Sequence, residues 1–214
     1  IDPDLEIGFV TNQLFGQKLN VSIILTGIAY LIIFLVFGIN PENGELLWQT
    51  KVGRGGIMGG VHWGMASDGE KVYVPINDHS VYDRDKHKPS MAGLHALDID
   101  SGALIWSKLE ENRCPPDVKW QCSAGLSAAI TSIPGVVFGG ALDGEIHAYD
   151  AQNGNVLWKF DSNRAFVGVS GRNCQGGSID SAGPVIIGNQ MFVNSGYAKF
   201  GEKAGNVLLC FEIE

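Results

Sequence analysis

Residues 38–214 are built from short apolar runs of three to six residues, punctuated by Gly, Asp, Asn and Ser. Runs of that length, rich in Val, Ile, Phe and Tyr and bounded by turn residues, predict β-strands rather than helices. Residues 71–76 (KVYVPI), 136–140 (VVFGG) and 191–193 (MFV) are such runs, and each follows a short turn such as Ser67-Asp68-Gly69 or Gly188-Asn189-Gln190. The pattern recurs along the chain. Residues 38–48 (GINPENGELLW), 96–106 (ALDIDSGALIW) and 148–158 (AYDAQNGNVLW) share one register without gaps. It reads small, apolar, Asp or Asn, three variable positions, Gly, one variable position, two apolar residues and Trp.

Each copy is a predicted hairpin. The Asp or Asn side chain accepts a hydrogen bond from backbone just beyond it, and Gly44, Gly102 or Gly154 takes the left-handed position of the turn. The returning strand carries Trp48, Trp106 or Trp158, spaced 58 and 52 residues apart. A fourth copy begins at residues 209–213 (LCFEI) and stops before its turn. A period of 50–60 residues with about four strands is that of a β-propeller blade. A β-sandwich with coincidental turns is the lesser alternative. The fold class is therefore all-β, with about three and a half blades of an incomplete ring. The remaining blades are expected upstream in a longer chain or from another chain, because an isolated arc leaves two open sheet edges.

Residues 1–37 lie outside the repeat. Residues 21–38 (VSIILTGIAYLIIFLVFG) carry no charge and follow Lys18, as a membrane-spanning signal-anchor would. They read equally as a β-branched strand pair, whose end serves the first blade, or as a mis-spliced or frame-shifted leader.

Charge and composition narrow the class. With 15 Lys and Arg against 23 Asp and Glu the net charge is −8, which argues against nucleic acid. A hydrophobic content of 45% excludes a disordered chain. The 29 glycines are about twice the ordinary share and suit many tight turns.

The tryptophan-ended repeat and residues 135–158 (GVVFGGALDGEIHAYDAQNGNVLW) resemble the quinoprotein dehydrogenases. These are eight-bladed propellers that bind pyrroloquinoline quinone (PQQ) and calcium. The resemblance gives Trp48, Trp106 and Trp158 the role of docking tryptophans between blades. Residues 59–64 (GGVHWG) resemble the glycine-rich segment that sets a Trp beneath the quinone. This makes Trp63, with Gly59 and Gly60, the candidate cofactor floor. Asn77 stands where the family has a calcium-binding Asn, and Asp78 beside it is an equally hard oxygen donor. The alternative reading makes Trp63 a core residue and Asn77-Asp78 a turn pair. The polyvinyl-alcohol dehydrogenase branch is the nearest in likeness, through GGVHWG, SDGEKVYV, GLSAAITSIPGVVFGGALDGEIHAYD, GGSIDSAGP, VNSGY and GNVLLCFEI. The resemblance implies oxidation of secondary or polymeric alcohols in the periplasm, with a cytochrome c as electron acceptor.

The chain also departs from the family. It has no vicinal Cys-Cys pair and no C-x-x-C-H site, so haem c would lie outside these residues. Asp180, in GGSIDSAGP, is the best candidate for the catalytic carboxylate, with a surface turn as the alternative. Arg54 and Arg172 precede the two glycine-rich segments and could pair with quinone carboxylates or be solvated. Cys174 stands where related sequences often have Lys. In an exported protein Cys114 and Cys122 read as a local disulfide, and Cys210 as a core thiol. The histidines, including His62, His79, His87 and His95, form no metal-ligand spacing, and His62 alone neighbours the proposed site. The rival function is a propeller scaffold without a quinone, like the outer-membrane assembly lipoproteins.

Overall fold

The computed structural model describes residues 35–55, 59–78, 89–111, 113–115 and 122–212. Every regular element within them is a β-strand, and every pairing is antiparallel. The first blade contributes a hairpin of β1 (Leu35–Ile39) and β2 (Leu46–Lys51). The second is a complete four-stranded meander of β3 (Ala66–Ser67), β4 (Lys71–Ile76), β5 (Gly93–Asp98) and β6 (Leu104–Leu109). The third repeats it with β7 (Thr131–Ile133), β8 (Val136–Gly140), β9 (Glu145–Asp150) and β10 (Val156–Asp161). A separate hairpin, β11 (Ala165–Val167) and β12 (Asn173–Gln175), follows. The fourth blade shows three strands, β13 (Val185–Ile187), β14 (Gln190–Ser195) and β15 (Val207–Glu212). This is the propeller arc expected from the repeat. The β11–β12 hairpin falls outside the repeat and was not foreseen.

The repeated turn forms for the reason its residues suggest. The side chains of Asn40 and Asp150 accept the backbone N–H two residues on, at 2.9 and 2.7 Å. The turn glycines Gly44, Gly102 and Gly154 adopt φ of 75°, 69° and 74°, and each N–H returns to the carbonyl of the leading Asn or Asp. Each returning Trp then reaches the next blade. Trp48 Nε1 donates to Ile99 O at 3.0 Å and its ring lies on Gly102. Trp106 Nε1 donates to Ala151 O at 3.2 Å and its ring lies on Gly154. A methyl group on either glycine would sit 2.4 or 2.6 Å from the indole, inside contact distance. Trp158 stacks on Phe160 and meets Phe211 edge-on. The repeat puts its matching carbonyl at residue 213, outside the described residues.

The apolar cores lie between blades. Val36, Trp48, Val61, Val74 and Ile76 join the first and second. Tyr73, Leu94, Leu126, Val137 and Tyr149 join the second and third, and Ile146, Ile179, Met191 and Val193 the third and fourth. Burying both faces of inner strands explains why 71–76 and 136–140 read as continuous apolar runs.

The described end of the apolar run, residues 35–39, is β1 and serves the first blade; residues 21–34 lie outside the described residues, as do His79 and His87. No described helix is long and apolar enough to cross a membrane. Cys114 and Cys122 are disulfide-bonded, with Cα atoms 5.7 Å apart. Cys210 is exposed rather than core. On β15 burial alternates, with Val207 inside and Leu208 and Cys210 outside, and a uniformly apolar strand hides that alternation.

A polar cluster also bridges the second and third blades. His147 Nδ1 is 3.1 Å from Glu110 Oε1 and its Nε2 is 2.8 Å from Glu145 Oε2. Tyr149 Oη donates to Glu110 at 2.7 Å, and Arg113, beside the disulfide, pairs with Glu110, Asp143 and Glu145. An imidazole facing a carboxylate at each nitrogen satisfies both only when doubly protonated. Burial opposes the charge on His147, but the hydrogen bond and charge of Glu110, with Glu145, outweigh it and raise its pKa. Burial would likewise raise Glu110, yet His147, Tyr149 and Arg113 bring it down to about 2.

Two outcomes are expected. Gly44 has open space around it, so Gly44→Ala should cost only the left-handed strain, about 1–2 kcal/mol. Gly154→Ala adds the displaced Trp106 and should cost roughly 1–3 kcal/mol more in chemical denaturation; equal losses would show that indole docking contributes nothing. The His147 contribution is complete below its unfolded pKa of 6.5 and lost as pH rises through the higher folded value. The Glu110 contribution is complete above 4.5 and lost as pH falls towards about 2. Thermal melts across pH should therefore show a plateau between 4.5 and 6.5, and His147→Gln should flatten its alkaline side.

Candidate functional site

Three glycine-rich segments lead into the inner strands of successive blades, and backbone hydrogen bonds place them equivalently. The carbonyls of Gly60, Gly125 and Ser178 accept from Asn77, Leu142 and Gly196, just beyond the second strand of their own blades. The next residue is a buried aliphatic, Val61, Leu126 or Ile179. The amides of Leu126 and Ile179 donate to Ile76 and Ala141 of the preceding blade, at 3.2 and 3.1 Å. Each following residue is polar. These are His62, Ser127 and Asp180.

The site gathers at that level. His62 Nδ1 lies 2.9 Å from Ser127 Oγ and 3.4 Å from Asn77 Nδ2. Burial lowers the pKa of His62, and the nearby negative charge of Asp180 only partly offsets this, so the ring is neutral near pH 7. Three polar atoms here are buried without a partner: His62 Nε2, Asn77 Oδ1 and Asp180 Oδ1. Such atoms are costly to bury, and each calls for an explanation. Asn77 Oδ1 rests against Gly125, where a methyl group would come within 2.2 Å of it. Ser181, next to Asp180, has φ 67°, and its carbonyl accepts from Ala129 at 3.0 Å. A non-glycine residue held there carries backbone strain.

Trp63 is 47% exposed and meets Tyr197 edge-on at 6.5 Å, so it is not a core residue. Gly59 and Gly60 are buried, and a methyl group on Gly59 would strike Gly55 O at 2.3 Å. The structure thus brings Asn77 together with His62, Ser127 and Gly125, sets Trp63 beside Tyr197, and buries Asp180 at the equivalent position one blade beyond Ser127. Alignment of the three lead-in segments on Val61, Leu126 and Ile179 is the signal that reveals Ser127.

The other candidates have different surroundings. Arg54 Nε donates to Asp78 Oδ1 at 2.5 Å, its guanidinium also reaches Asp78 O at 3.0 Å, and both side chains are buried. Asp78 Oδ2 accepts the Met91 amide, so both carboxylate oxygens are engaged. The same clamp recurs one blade on, where Arg113 pairs with Asp143 at 2.7 Å. The repeat then offers Arg164, but Tyr197 replaces the aspartate and Arg164 stacks over Phe160 instead, 4.6 Å from the ring centre. Arg172 is exposed on the turn between β11 and β12. Among the described residues no group of three or more His, Cys, Asp or Glu converges as a metal site.

A profile named PQQ_2, described as outer membrane protein assembly factor BamB, matches residues 90–213. The chain belongs to this family. It is 40% identical to a polyvinylalcohol dehydrogenase of Pseudomonas sp and 34% identical to one of Sphingopyxis sp. (strain 113P3). Each match covers 84% of this chain, and the chain spans 29% of the length of either relative. Its fold is that of the quinohemoprotein alcohol dehydrogenase from Comamonas testosteroni, with TM-score 0.54 at 18% identity, over 83% of this chain and 30% of that one. Within this PQQ_2 chain, Trp48 and Trp106 hold the blades together, and Trp63 stands apart from that role.

The clamp predicts a stability effect independent of any ligand. Arg54→Ala leaves the Asp78 carboxylate buried without its cation and should cost about 3 kcal/mol in urea denaturation, while Arg172→Ala should cost nothing measurable. An Arg54→Ala protein as stable as the wild type would return Arg54 to a cofactor-binding role.

Proposed function

We propose that this chain supplies part of the quinone site of a PQQ-dependent dehydrogenase that oxidises secondary or polymeric alcohols. The observation that carries the reading is a half-exposed indole, Trp63, on the segment whose His62 meets Asn77, together with buried, unpartnered oxygens on Asn77 and Asp180. The likeness to polyvinylalcohol dehydrogenases supports it.

The residues fit the cofactors. The flat face of Trp63 suits a planar tricyclic quinone. Asn77 Oδ1 is a neutral hard oxygen with no partner of its own, as a calcium ligand needs. Asp78 is the weaker metal candidate, because Arg54 and Met91 already engage it. When bound, PQQ with calcium supplies the two-electron oxidant for the carbinol C–H bond. Asp180 accepts the hydroxyl proton, with its unpartnered Oδ1 as the receiving atom. The electrons then pass to a cytochrome c, whose haem lies outside this chain. The disulfide supports an exported, periplasmic protein.

The family description favours a second reading, an assembly scaffold without a quinone. Reconstitution of the full-length protein with PQQ and calcium separates the two. The dehydrogenase should quench tryptophan fluorescence on binding PQQ and reduce a dye in the presence of a polymeric secondary alcohol. Trp63→Ala should weaken PQQ binding by about tenfold or more while leaving the thermal midpoint of the cofactor-free protein in place. Absence of both PQQ binding and alcohol-dependent dye reduction would favour the scaffold.

A further inference from the structure

The position that holds the clamp aspartates Asp78 and Asp143 in the second and third blades is Tyr197 in the fourth, one residue beyond the amide that donates to the lead-in carbonyl. The aspartates each take a guanidinium, from Arg54 and Arg113. A phenol cannot, and Arg164 lies over Phe160 and Phe166. The ring of Tyr197 meets Trp63 of the second blade's lead-in instead, with centroids 6.5 Å apart and planes at 78°. That is an edge-to-face pair within the favourable span of about 4.5–7 Å. It joins two blades that are not neighbours.

The two partners are held unequally. The Tyr197 and Gly196 amides both donate to Ser178 O, at 3.1 and 2.8 Å, and Gly196 O accepts from Gly205 at 3.0 Å. Gly196 has φ 114°, and a methyl group on it would come within 2.1 Å of Gly205, so this backbone is fixed by a close crossing. The Trp63 indole is 47% exposed and belongs to none of the three apolar clusters. Ala128 and Ser181 stand at its position in the next two blades, so no other described lead-in brings an indole.

We propose that Tyr197 is the positioning residue of Trp63: its ring, anchored in the fourth blade, sets the orientation of the indole that the second blade presents. The flat surface offered to a planar quinone is then built by two blades. As a statement about the quinone this rests on the reading of Trp63 as cofactor floor; the ring contact does not.

Fluorine NMR of the full-length protein labelled with 5-fluorotryptophan tests the contact without cofactor or turnover. The Trp63 resonance, assigned by its loss in Trp63→Phe, should shift in Tyr197→Ala while those of Trp48 and Trp106 stay in place. Tyr197→Phe keeps the ring edge and should leave the Trp63 resonance where it is in the wild type. PQQ should bind Tyr197→Phe as it binds the wild type, and Tyr197→Ala about three- to tenfold more weakly, with the cofactor-free thermal midpoints unchanged. A Trp63 resonance unmoved in Tyr197→Ala, or equal PQQ affinities of Tyr197→Ala and wild type, would overturn the proposal. So would a lowered midpoint of Tyr197→Ala with the Trp48 and Trp106 resonances moving as well, which would make Tyr197 a residue of the general fold. A wild-type protein that takes up no PQQ, but whose Trp63 resonance still responds to Tyr197→Ala, would remove the quinone reading and uphold the ring contact.

Discussion

The backbone of the lead-in segments at Leu126 and Ile179 is held from two sides, and the site follows from that constraint. One carbonyl accepts from the segment's own blade, as Gly60 does from Asn77 and Gly125 from Leu142. The next amide, in Leu126 and Ile179, donates to the blade before it. No side chain takes part in these bonds, so their geometry survives changes of sequence. They set the aliphatic into the interblade core and carry the following residue to the polar level. The close approaches at Gly59, Gly125 and Gly177, where a methyl group would meet backbone oxygen within 2.3 Å, show how little room the arrangement leaves.

The outer rim depends on a complementary device. There the indoles of Trp48 and Trp106 cover the turn glycines of the following blades and donate to carbonyls beside them. At the junction of the second and third blades, Trp106 and the Leu126 amide tie the same neighbours together at opposite ends of the sheets. Between them lie the three apolar clusters, so cohesion of the arc resides in its interfaces rather than within a single blade.

Much of this was legible in the sequence. The turn needs a left-handed glycine and the rim needs a large planar donor, so the spacing of Gly and Trp in residues 96–106 and 148–158 disclosed hairpins and docking together. Asn77 was singled out through resemblance and Asp180 through the likeness of its glycine-rich segment to GGVHWG, and both are buried with Oδ1 unpartnered. What stayed hidden depends on pairings across the fold. Arg54 and Arg172 look alike in sequence because each precedes a glycine-rich segment, yet the repeat pairs Arg54 with Arg113 and Arg164. Arg172 belongs to a hairpin outside the repeat. Ser127 sits in an apolar, small-residue stretch and gains meaning only beside His62. Cys210 was misread because every residue from 207 to 211 is apolar, which conceals the face that alternation exposes.

The alternation of a packing residue with a polar one along each lead-in has an evolutionary consequence. Val61, Leu126 and Ile179 are chemically interchangeable, whereas His62, Ser127 and Asp180 share almost nothing. Repetition of the blade therefore yields copies in which one position is constrained by packing and its neighbour is free to differ. A ring of such blades is a combinatorial palette, in which a new activity can arise by changing one side chain per repeat while the chassis remains intact.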